Sequence, residues 1–73
     1  MKRVNPEKTG EMIQYYLDEM NMCRKELAHK MHISISTAHK WCEGVGIPEI
    51  NSLINLAELF NCELTDLLVI EDC

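Results

Sequence analysis

The sequence predicts an all-α domain of five short helices. Three observations carry that expectation: apolar residues recur at helical spacing through most of the chain, helix-starting and helix-stopping residues punctuate them, and no run alternates long enough to make a strand. The 73 residues allow one domain, expected to span 1–73 with a short N-terminal arm at 1–5 and a tail at 69–73. A chain this short buries roughly 60% of its unfolded surface, so its core is small.

Asn5-Pro6 opens the first helix, because Asn caps and Pro suits the first helical position. Ile13, Tyr16, Leu17 and Met20 then recur on one face. Gly10 inside this pattern costs about 1 kcal/mol of helix propensity, which points to a close contact at that position. Asn21 suits a left-handed helix end. A second helix runs from about Arg24 to Met31 with Leu27, Ala28 and Met31 inward, and a third follows the N-cap residue Ser34 with Ala38, Trp41 and Cys42 inward. "GVGIP" is loop. A fourth helix, about Ile50 to Phe60, places Leu53, Leu56, Ala57 and Phe60 at core spacing and ends at Asn61; a short fifth holds Leu64, Leu67 and Leu68. The alternation at Ile33 and Ile35 is too brief for a strand. "LLVIEDC" at the end either packs back on the core or meets a second copy.

Charge is distributed unevenly. All seven Lys and Arg lie in residues 1–40 with five acids, whereas 41–73 hold seven acids and no Lys or Arg: +2 against −7, within a total of −5. All three histidines share the positive part. One basic face on an acidic body fits this pattern, as does simple solubility. A charged fraction of 26% excludes a membrane span. "MKRVNPEK" leads into no apolar run, so no export signal is expected and the protein is read as cytoplasmic, with Cys23, Cys42, Cys62 and Cys73 reduced and mostly core-filling. His29, His32, Cys23 and Cys42 lack the Cys-x-x-Cys pairing of a zinc site. No metal and no cofactor is expected. So small a bundle has no cleft for a catalytic triad or paired carboxylates, so an enzyme is not expected.

The second and third helices, about eight residues each, are joined by a tight turn around His32-Ile33-Ser34. Helices so short and close cross steeply, with Ala28 at the crossing. That is a helix-turn-helix, over about residues 24–43, whose second helix projects far enough to enter a DNA major groove.

Residues 10–68 resemble the Cro/repressor family of helix-turn-helix proteins, of the xenobiotic-response-element type. The residues that carry the resemblance are Gly10-Glu11, Ile13, "KELA" at 25–28, Ile33-Ser34, Ser36-Thr37, Lys40-Trp41, Gly44, Ile47-Pro48, Leu53, Leu56-Ala57 and Asp66-Leu67-Leu68. The resemblance implies a compact five-helix, lambda-repressor-like bundle. It implies a transcriptional regulator, a small repressor, binding double-stranded DNA as a homodimer. The third helix would be the recognition helix, with Ile35, Ser36, His39 and Lys40 toward base edges and Arg24, Lys25 and Thr37 toward the backbone.

The chain departs from the family pattern in several places. His32 stands where the turn is usually Gly, Arg24 where Gln is common, and Cys23 where Ser or Thr caps. Leu17 and Cys42 replace an Arg–Glu pair, and are expected to touch. Gly44-Val45-Gly46 replaces a basic loop. That loop and the acidic total motivate an alternative: a protein-interaction or antitoxin-type adaptor on the same fold, with a protein partner and weak or no DNA binding.

Overall fold

The computed structural model describes residues 1–72. Helix α1 spans Pro6–Glu19, α2 Arg24–Met31, α3 Ile35–Glu43, α4 Ile50–Phe60 and α5 Leu64–Leu67. Asn5 caps α1, its side chain accepting from the Lys8 N–H at 2.9 Å, with Pro6 at the first helical position. Asn21, His32 and Asn61 all sit at positive φ (52°, 56° and 55°), each at or just past a helix end. His32 therefore adopts the left-handed turn that its family counterparts give to Gly, as a residue type enriched there.

The core is built from one face of every helix. Ile13 and Leu17 of α1, Leu27 of α2, Ala38 of α3, Leu56 of α4 and Leu67 of α5 are fully buried. Tyr16 stacks on Phe60 with centroids 5.4 Å apart, joining α1 to α4. Met20 departs from the expected core face: α1 ends at Glu19, so the helical spacing runs one residue past its helix and Met20 is exposed.

The expectation that no strand forms is corrected. The arm and the tail make an antiparallel two-stranded sheet, β1 (Lys2–Val4) with β2 (Ile70–Asp72), in the register Lys2 with Asp72, Arg3 with Glu71 and Val4 with Ile70. Its attachment to the bundle is specific. The Asn5 N–H donates to the Val69 carbonyl at 2.7 Å, and the Val69 N–H donates to Oγ1 of buried Thr9 at 3.1 Å. Arg3 Nε and Asn5 Nδ2 each donate to the Glu71 carboxylate, at 2.9 and 3.0 Å. The tail thus pairs with the arm and hydrogen-bonds to the start of α1, leaving Ile70 exposed. No helix of the described residues is long and apolar enough to cross a membrane.

Candidate nucleic-acid interface

Backbone contact between α1 and α3 positions the interface. A Cβ built on Gly10 would lie 2.5 Å from the Trp41 carbonyl oxygen and 2.9 Å from that of Cys42. Gly44 reciprocates: it ends α3 at φ 73°, and a Cβ there would lie 2.5 Å from Glu7 Cα. The C-terminal half of α3 is therefore seated directly on the first turns of α1. Gly10 is the close contact that its cost in the helix implied.

At the other end, Ser34 caps α3. Its Oγ accepts the Thr37 N–H at 3.0 Å and lies 2.8 Å from Thr37 Oγ1. If Ser34 donates its hydroxyl proton to Thr37, the Thr37 O–H is free to donate outward, the arrangement a phosphate oxygen requires. Along α3 the two faces separate as expected: Ala38, Trp41 and Cys42 are buried, while Ile35, Ser36, His39 and Lys40 are exposed and Thr37 is half-buried. Ile35, 45% exposed at the tip, is a large apolar side chain left in solvent. Lys25 on α2 and Lys40 on α3 are also exposed, and neither forms an ion pair among the described residues.

Arg24, the first residue of α2, is held rather than free. Its Nε donates to Gln14 Oε1 at 2.9 Å, and Gln14 Nε2 in turn donates to Asp18 Oδ1 at 2.8 Å. Its NH1 lies 3.1 Å from His39 Nδ1 and 3.9 Å from Glu43 Oε2. The side chain is 28% exposed. Gln14 carries no motif in the sequence. The signal for Gln14 was its i,i+4 relation to Asp18 on the polar face of α1. Glu43 also shows that the acidic segment 41–73 is not wholly turned from this face, since one of its acids stands beside Arg24.

The thiols divide. Cys42 is buried, and desolvation pushes its pKa up against the opposing effect of Arg24. Cys62 is half-buried, and burial raises its pKa too, against a hydrogen bond with Tyr16 that lowers it. Cys23 is exposed and so is not core-filling. It precedes α2 without an oxygen cap, and its N–H donates to Glu26 Oε1 at 3.3 Å. Cys73 lies outside the described residues. Among the described residues, no three His, Cys, Asp or Glu side chains converge as a metal site would need.

A family model of the Cro/C1-type helix-turn-helix DNA-binding domain matches residues 12–72. The chain belongs to that family. The Cro/C1-type assignment agrees with two solved structures. The LexA SOS-response transcriptional repressor of Eubacterium rectale superimposes with a TM-score of 0.83 at 26% identity, over 89% of this chain and 69% of that one. A protein of Bacteroides fragilis, described as a candidate DNA-binding protein, superimposes with a TM-score of 0.72 at 27% identity, over 97% of this chain and 100% of that one. No curated protein matches the chain significantly. The helix-turn-helix of this Cro/C1-type domain lies wholly inside the matched segment, and its second helix carries the exposed row Ile35, Ser36, His39 and Lys40.

Proposed function

We propose that this protein is a sequence-specific transcriptional regulator, a small cytoplasmic repressor that places α3 in the major groove of DNA as a homodimer. The observation that carries this reading is the division of α3. Its buried residues anchor it on α1, and its opposite face presents Ile35, Ser36, His39 and Lys40 to solvent. Lys40 donates to guanine O6 or N7, Ser36 bonds either kind of edge, and Ile35 packs on a thymine methyl. Lys25 and Thr37 serve the phosphates on either side.

A second reading keeps the fold and replaces DNA with a protein. It is favoured by the apolar side chains left exposed in the loop after α3, Val45 (70%) and Ile47 (44%), and on α4, Ile50 (58%) and Ile54 (49%). The two readings separate in one experiment. Genomic DNA fragments are titrated with the protein across a series of salt concentrations. A subset of fragments bound above the rest at every salt supports the regulator. Equal, negligible binding of all fragments at low salt supports the interaction module.

A further inference from the structure

The geometry points to Arg24 as a specificity-setting residue that acts through His39, rather than as a free phosphate ligand. This role rests on the DNA-binding reading above. A guanidinium has only donors, so the 3.1 Å contact from Arg24 NH1 requires His39 Nδ1 to accept. A neutral imidazole that accepts at Nδ1 carries its proton on Nε2. Nε2 lies across the ring from Nδ1, in a residue that is exposed. His39 therefore meets DNA as a hydrogen-bond donor and not as an acceptor.

The hold on Arg24 is what makes this selection firm. Its Nε is fixed by Gln14, which is itself fixed by Asp18, so the guanidinium is oriented from α1 before any DNA arrives. Glu43, 3.9 Å from the same NH1, adds attraction on the far side. A donor-only His39 next to the donor-only Lys40 suits guanine, which shows two major-groove acceptors. It disfavours cytosine, which shows an amino donor. The expected consequence is a base pair at which guanine is chosen on the strand His39 faces, set by a residue that touches no base.

Two measurements test this. Ring ¹⁵N spectra of the free protein at mildly alkaline pH should show His39 with the proton on Nε2 and a bare Nδ1, and Arg24→Met should move the ring toward a mixture of tautomers. A proton on Nδ1 in the wild type, or a ring unchanged by Arg24→Met, overturns the inference. Selection from a randomised duplex library should then give a motif for the wild type. Arg24→Met should lose guanine preference by about fivefold or more at the one position that His39→Ala also loses, and keep the rest. A variant that binds every sequence more weakly with an unchanged motif would make Arg24 a plain backbone contact. A wild type that selects no motif ends the DNA reading and this specificity role with it, while the ring spectrum still decides whether Arg24 sets the tautomer.

Discussion

Gly10 lies directly beneath Trp41, so close that a Cβ on the glycine would come within 2.5 Å of the tryptophan's carbonyl oxygen. The obstacle is backbone, held by the end of α3, and it does not swing aside as a side-chain tip would. Gly10→Ala gains about 1 kcal/mol of helix propensity and loses more through overpacking, which costs about 1–3 kcal/mol and occasionally more. The expected result is a net loss of up to about 2 kcal/mol in urea unfolding. A neutral or stabilising substitution would show that α1 and α3 stand further apart.

Leu17 is fully buried on α1, and Cys42 is buried on α3. Related domains place an Arg and a Glu at these two positions, and here both are apolar, so neither leaves an orphan charge. Leu17→Arg introduces one without a partner and should cost about 3 kcal/mol or more. Adding Cys42→Glu should recover part of that, read as a coupling energy in a double-mutant cycle. The cycle is complicated in an informative way by Arg24, whose charge lies close enough to Cys42 to oppose the rise that burial causes in its pKa. Cys42→Glu alone should therefore cost less than Leu17→Arg alone, and the reverse order would place Arg24 elsewhere.

These two sites show what could be read in the sequence and what could not. The helix limits were legible because their chemistry is local: Asn5-Pro6 and Ser34 start helices, and Asn61 stops one, by interactions within a few residues. Gly10 was legible as a contact, though not its partner. The β1–β2 pair was illegible because it joins the two ends of the chain, Arg3 to Glu71 across 68 positions, in strands of three residues each with no alternation to announce them. The Gln14–Arg24–His39 chain was illegible for a related reason. It spans three helices, and only their packing brings an ordinary polar residue of α1 beside the start of α2 and the outer face of α3.

Thiol reactivity follows exposure and charge. Among the described cysteines, Cys23 is exposed, Cys62 half-buried and Cys42 buried with a raised pKa. A thiol reagent at neutral pH should therefore modify Cys23 fastest and Cys42 slowest, with Cys42 gaining speed only under denaturant. Mass spectrometry of a time course assigns the order. Early labelling of Cys42 in the native protein would mean that α3 leaves α1 readily.

Acid should loosen the terminal sheet first. Glu71 is held below the ordinary carboxylate pKa by its hydrogen bond from Asn5 and then by Arg3. A depressed folded pKa contributes stability that is present above the unfolded value and is lost as pH falls through the folded one. Stability should thus decline through the acid range below the usual carboxylate pKa, and Glu71→Gln should flatten part of that decline by lowering stability on the neutral side while nearly matching the wild type in acid. The same pH range should release amide protection at Val4 and Ile70 before the helices exchange. An acid limb identical in the variant would remove Glu71 from the account.

Lys40 and Lys25 are both exposed and without an ion-pair partner among the described residues, yet they should fail differently when replaced. Lys40 stands on the outer face of α3, where on the DNA-binding reading an ammonium would reach guanine O6 or N7. Lys40→Ala should cost about 1–3 kcal/mol on the best site and relax the choice at one base pair. Lys25 stands exposed on α2, and on the DNA-binding reading it would meet phosphates beside the groove. Lys25→Ala should weaken all sequences alike and make the slope of log K against log salt shallower by about one unit for each phosphate no longer neutralised. The wild-type slope should itself be shallow for a dimer, about −4 to −6, because residues 44–47 supply no cation and Glu43 stands at the edge of the interface. Removing that acid is the converse test: Glu43→Gln should tighten binding to every sequence at low salt and lose the advantage as salt rises. Tightening confined to one site would instead mean that Glu43 acts on base choice, through the Arg24 and His39 beside it.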